Sequence, residues 1–175
     1  MPLSETAQKN YTRMFGDFPP PLADSDPEFT RLFLDFALDE VPSQTKLDDR
    51  THFLTVLAAL MGCQGLDCFQ AMAPAALRSG LSPVELKELV YQGTAYLGLG
   101  RVLPFLKAVN EALTAAGVPL PLEEQGTTDP DSRLEAGNQA QVDIFGTHMR
   151  GFQNSGPQES RHINRWLAGN CFGDY

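Results

Sequence analysis

Between Arg50 and Leu113 the chain passes through helix-length apolar segments divided by glycines, and this succession constrains its fold more than any other feature. Phe53, Val56, Leu57 and Leu60 recur at helical spacing before Gly62. A second segment starts near Leu66 and runs to Ser79-Gly80, where the glycine suits a left-handed C-terminal cap. Ser82-Pro83-Val84-Glu85 reads as a capping box with proline inside it and opens a helix carrying Leu86, Leu89, Val90 and Leu97. Gly98-Leu99-Gly100 breaks that helix. The next, from about Arg101, presents Val102, Leu103, Leu106, Val109 and Leu113 before Gly117. No comparable stretch alternates with a period of two, so the pattern predicts an all-α domain over residues 1–117.

Upstream, Asp26-Pro27-Glu28 supplies an N-cap, a proline at the first helical position and an early acid. Phe29, Leu32, Phe33, Phe36 and Ala37 come next at helical spacing, predicting an amphipathic helix that ends near Val41-Pro42. Residues 118–129 read as a linker, interrupted by Pro119, Pro121, Gly126 and Thr127-Thr128. In 130–175, Asp129-Pro130 opens a more polar helix through Leu134, Gln141, Val142, Phe145 and Met149. A short helix after Pro157 has Ile163, Trp166 and Leu167 as its apolar side. This tail echoes the N-terminus at a constant offset of 130 positions: Phe15-Gly16 matches Phe145-Gly146, Pro27 matches Pro157, Arg31 matches Arg161, and Phe33 and Phe36 fall on Ile163 and Trp166. A gapless offset favours an internal duplication. Tyr175 then corresponds to Thr45, so the second unit stops before its own core begins. Its apolar faces are expected to be hidden on the first domain or on another subunit, across an oligomer contact.

At 175 residues and 42% hydrophobic content the chain can bury one good core and part of a second. A net charge of −9, with 13 Lys+Arg and no basic cluster, argues against nucleic acid and anionic membranes as partners. No apolar run reaches a membrane-spanning length, and Met1 to Thr12 has no apolar core of the secretory kind, so a cytoplasmic location is expected. Three cysteines are too few for a disulfide scaffold.

Chemistry in so plain a sequence centres on Gly62-Cys63-Gln64-Gly65-Leu66-Asp67-Cys68. A thiol in the first turn of a helix faces the positive end of the helix dipole, which favours thiolate. On a continuous helix, residues five apart lie about 7.5 Å apart along the axis, beyond the usual disulfide span. Gly62 and Gly65 are therefore expected to break the helix, with Cys68 attacking and Cys63 resolving. The alternative is that both are small apolar residues buried at a tight helix junction. His52 is a candidate proton shuttle facing this junction, or else a packed core or interface residue. Tyr96 and Arg101 flank the Gly98 break, where the guanidinium either holds a substrate carboxylate or bonds helix-end carbonyls. Cys171 reads as structural. His148 and His162 lack metal-ligand spacing with any Cys, Asp or Glu pair, so neither metal nor cofactor is expected.

The block Leu57-Ala58-Ala59-Leu60-Met61-Gly62-Cys63, then Ala75 through Leu89 with Arg78-Ser79-Gly80-Leu81-Ser82-Pro83 at its centre, then Tyr96-Leu97-Gly98, resembles the carboxymuconolactone decarboxylase family, which includes the alkylhydroperoxidase-D-like proteins. The resemblance covers roughly Leu47 to Leu113. The tail, with Asn164-Arg165-Trp166-Leu167 and Cys171-Phe172-Gly173-Asp174-Tyr175, resembles the entry to a second copy in tandem members. The resemblance implies an alkylhydroperoxidase-D-like helical bundle with a helical-hairpin core, assembled into trimers or hexamers with active sites near subunit contacts. Peroxide-reducing members carry Cys-x-x-Cys, a histidine four residues beyond the second cysteine, and a glutamate on the preceding helix. Here the spacing is Cys-x4-Cys, Cys68 falls on the peroxide-attacking cysteine, Met72 occupies the histidine position, and no glutamate lies between Arg50 and Gly62.

Three functions are compatible with these residues. In a decarboxylase-like enzyme acting on a small carboxylated lactone or related acid, Arg101 holds the carboxylate while His52 or Tyr96 handles a proton. In a thiol peroxidase or disulfide reductase, Cys68 and Cys63 do the work. The third is a non-catalytic assembly domain.

Overall fold

The structure, a computed structural model, describes residues 2–175 and contains no strand among them. The elements are α1 (Glu5–Phe15), α2 (Pro27–Asp35), a π-helical stretch Phe36–Glu40, α3 (Val41–Gln44), α4 (Asp49–Gly62), α5 (Leu66–Arg78), α6 (Pro83–Leu97), α7 (Leu99–Ala115), α8 (Arg133–Phe145) and α9 (Arg161–Trp166), which passes into a π-helical stretch Leu167–Asp174. No helix is long and apolar enough to cross a membrane.

The core is two helical hairpins, α4 with α5 and α6 with α7, laid side by side so that α4 packs on α6 and α5 on α7. Phe53, Leu57 and Met61 from α4, Phe69, Ala73 and Ala76 from α5, Leu86 and Val90 from α6, and Val102, Phe105, Val109 and Leu113 from α7 are all buried. Phe69 meets Phe105 edge to face, ring centroids 5.1 Å apart; truncating either to alanine removes about 3–5 kcal/mol. The punctuation is as the sequence reads at two of the turns. Gly80 takes φ +98° after α5, and the Ser82 hydroxyl accepts from the Glu85 N–H at 3.2 Å while Glu85 Oε2 accepts from the Ser82 N–H at 2.9 Å. Arg50 at the start of α4 pairs with Glu85 at the start of α6. At the far end Gly93 lies against Met61 and Val102, where an added Cβ would collide with the Met61 methyl. Those two contacts make α4 and α6 parallel and bring the α4–α5 and α6–α7 turns to the same end of the bundle.

Several expectations are corrected. An N-terminal helix that the apolar pattern did not bring out, α1, is capped by Ser4 and buries Ala7, Tyr11 and Met14 at i, i+4 and i+7. It packs on α5, where the Arg78 guanidinium donates to the Met14 carbonyl, 3.1 Å from Nε. The helix from Pro27 does not stop at Val41-Pro42; it widens into π turns and continues to Gln44. Its predicted apolar face is turned outward: Phe29, Leu32, Phe33 and Phe36 are exposed, and Leu34 and Leu38 are buried instead. The fourth core helix starts at Leu99, two residues earlier than the pattern suggests. In the tail, α8 buries Gly137 and Gln141 against the Leu167–Asp174 stretch, leaving Phe145, Ile163 and Trp166 exposed. Gly137 is what permits this, since a Cβ there would collide with the Ala168 carbonyl. The tail touches α6, where the Gln92 amide donates to the Cys171 carbonyl at 3.0 Å.

Candidate active site

α4 ends and α5 begins within three residues, and the hydrogen bonds show how. The Gly65 N–H donates to the Leu60 carbonyl at 2.8 Å and the Gln64 N–H to the Met61 carbonyl at 3.1 Å. That is the double bond of a Schellman motif, with Cys63 as C-cap and Gln64 as the left-handed residue. The glycines therefore do not make the break: Gly62 is the last helical residue, Gly65 has φ −80°, and Gln64 carries φ +60°. The Gln64 side chain compensates by donating from Nε2 to the Met61 carbonyl at 2.7 Å, covering a helix-end acceptor.

The turn places both thiols at the surface. Cys63, Cys68 and Cys171 are free, and Cys63 and Cys68 are exposed. The reading of Cys63 and Cys68 as buried filler is thereby corrected: the inward positions of this junction belong to Met61 and Phe69. Cys68 is the third residue of α5, inside its first turn. The Cys63 sulfur approaches the Leu60 carbonyl at 3.5 Å and lies 3.4 Å from where a Gly65 side chain would begin. Gly65 thus leaves room for that sulfur at the N-cap of the helix bearing Cys68. Cys171 is half-buried, and desolvation pushes its thiol pKa up, which suits a packing role.

Tyr96 and Arg101 flank Gly98, which takes φ +79° between α6 and α7, and both are exposed at the same end of the bundle as the thiol turn. Arg101 makes no ion pair or side-chain hydrogen bond among the described residues, so it does not cap helix-end carbonyls. His52 does not join them. It sits in the first turn of α4, half-buried with its ring 6.0 Å from that of Phe53. Eleven residues of helix put it about 16 Å along the axis from Cys63. Within one chain, His52 and the thiol turn therefore lie at opposite ends of α4. Met72, at the position where peroxide-reducing relatives carry histidine, is half-buried against the core.

A cleft of about 940 Å³ lies elsewhere, between the N-terminal half of α6, residues 120–128 and the tail. Lys87, Tyr91, Asn110 and Asp174 line it, and the thiols do not. No cysteine is among the residues that line this cleft. Among the described residues no group of three or more His, Cys, Asp or Glu side chains is arranged to hold a metal ion.

Comparison with known proteins agrees with this architecture. Residues 27–111, from the start of α2 into the last turns of α7, match the carboxymuconolactone decarboxylase family. No curated protein and no solved structure matches the chain. With nearly all of the paired-hairpin core inside the matched span, residues 27–111 are a carboxymuconolactone decarboxylase family domain.

Proposed function

We propose that this protein is a thiol oxidoreductase of the alkylhydroperoxidase-D-like kind, with Cys68 as the attacking and Cys63 as the resolving thiol. The observation that carries the reading is that two free, exposed thiols share one helix-to-helix turn, one at the C-cap of α4 and the other in the first turn of α5. Attack of the Cys68 thiolate on a hydroperoxide breaks the O–O bond, forming the sulfenic acid and releasing an alcohol. The Cys63 thiol then displaces water from that sulfenic acid, giving the disulfide, and an external dithiol returns both sulfurs to the reduced state.

No histidine or glutamate of α4 or α5 stands beside Cys68, so proton transfer falls to solvent. The test is stopped-flow consumption of peroxide with thiol titration. The native chain should lose two thiols, Cys68→Ser should lose none and be slowed at least about 100-fold, and Cys63→Ser should stop at the sulfenic acid. Equal rates in the native chain and Cys68→Ser would remove the proposal.

A carboxy-lyase acting on a small carboxylated lactone is the second reading. It is favoured by Arg101, exposed and unpaired among the described residues at the same end of the bundle as Tyr96. It would require Tyr96 rather than His52 to handle the proton. Turnover of such an acid, lost in Arg101→Ala and unaffected by Cys68→Ser, would establish it over the thiol reading.

A further inference from the structure

The tail repeats the N-terminal segment in shape and reverses it in charge. α1 and α8 both end in Phe-Gly with the glycine at positive φ, +74° at Gly16 and +107° at Gly146. In each case a proline comes at the same distance, Pro27 and Pro157, and the next helix widens into π turns, from Phe36 and from Leu167. The buried residues also correspond at the offset of 130, Ala7 with Gly137, Tyr11 with Gln141 and Leu38 with Ala168. Both segments show solvent the same apolar positions. Phe33 and Phe36 are each 55% exposed, with Phe29 and Leu32 beside them; Ile163 is 55% and Trp166 61% exposed.

The charges around these two patches are opposite. Residues 16–36 hold five carboxylates, Asp17, Asp24, Asp26, Glu28 and Asp35, against the single Arg31. The equivalent residues 146–166 hold Arg150, Arg161 and Arg165 against the single Glu159, and Asp35 is replaced at its offset by Arg165. Arg31 is already engaged with Asp35 at 3.4 Å, so the α2 side is left acidic. Arg165 has no ion-pair partner among the described residues.

We propose that the acidic, aromatic face of α2 docks on the basic face of α9 in a second copy of this chain, head to tail. An apolar centre with Phe and Trp anchors and a charged rim is the anatomy of a specific protein contact. Charge decides the pairing: α2 on α2 would set acids against acids and α9 on α9 arginines against arginines, whereas α2 on α9 sets opposite signs together. Every chain carries one face of each kind, so a closed ring covers all of them.

Two full-length double variants test this, Arg161→Glu with Arg165→Glu and Asp24→Arg with Glu28→Arg, in analytical ultracentrifugation. The native chain should sediment as an assembly, and each variant alone should self-associate at least about tenfold more weakly. An equimolar mixture should reassemble, because acidic α2 then meets basic α9 and the converse; misfolded variants would not do so. Trp166 is the only tryptophan, so its emission should shift to shorter wavelength in the native assembly and in the mixture. A monomeric native chain, full assembly by either variant alone, or a mixture that stays dissociated would each overturn the proposal.

Discussion

At the α5–α6 turn the left-handed position is filled by Gly80, φ +98°; at the α4–α5 turn it is filled by Gln64, φ +60°. The two turns otherwise share one plan. The Leu81 N–H donates to the Ala76 carbonyl at 3.0 Å and the Gly80 N–H to the Leu77 carbonyl at 3.1 Å, repeating the bonds of Gly65 and Gln64 one helix earlier. They launch the next helix differently. Ser82 and Glu85 cap α6 reciprocally, whereas α5 starts at Gly65 with no side-chain cap. Leu81 is buried beneath the first turn, and the second carries Cys63 and Cys68 at the surface. One turn has every local choice agreeing with the fold. The other tolerates a left-handed non-glycine residue, at a cost of about 1–2 kcal/mol, beside two exposed thiols.

The contrast can be broken at its strong side first. Gly80→Ala has open space around the new Cβ, so its whole effect is backbone strain, and urea denaturation should show a loss of about 1–2 kcal/mol. Ser82→Ala should cost about 1 kcal/mol at neutral pH by removing the cap. That loss should shrink in acid. The Ser82 backbone N–H, then Arg50, then the Ser82 hydroxyl lower the Glu85 pKa from 4.5 to about 2. A folded pKa below the unfolded one gives stability that is complete above about 4.5 and fades as pH falls through about 2. The variant holds less of it, so the two denaturation curves should converge over that window.

On the weak side, Gln64→Gly should relieve the left-handed strain but lose the 2.7 Å bond to Met61, for a net gain under about 1 kcal/mol. Smallest of all, Cys68→Ser should change stability by no more than about 0.5 kcal/mol, since an exposed thiol holds nothing together.

Much of the core was legible because its signals are local. Gly80, the Ser82–Glu85 box and Gly117 with φ +76° mark helix ends through backbone chemistry that depends on few neighbours. The outward face of α2 was not legible: Phe29, Leu32, Phe33 and Phe36 form as clean a helical stripe as any buried one, and periodicity does not say whether a stripe faces the core or a partner. The residue that breaks the helix at the thiols escaped for a related reason. Glycine is the usual left-handed residue, and nothing in Gly62-Cys63-Gln64-Gly65 reveals that the Gln64 side-chain amide will add a second bond to the Met61 carbonyl. α1 had a readable signal in Ser4 with Ala7, Tyr11 and Met14 after it, but only these three residues mark its buried face. His52 lies on the expected helix, and its misplacement is a matter of direction: α4 carries it to the end opposite the turn it was meant to serve.

The central claim is that Cys63 and Cys68 form one reactive centre. Peptide mapping by mass spectrometry after brief treatment with a hydroperoxide tests it most directly. A linkage between residues 63 and 68, with Cys171 still a free thiol, is the predicted result. Oxidation confined to a single cysteine, or a bridge through Cys171, would contradict it.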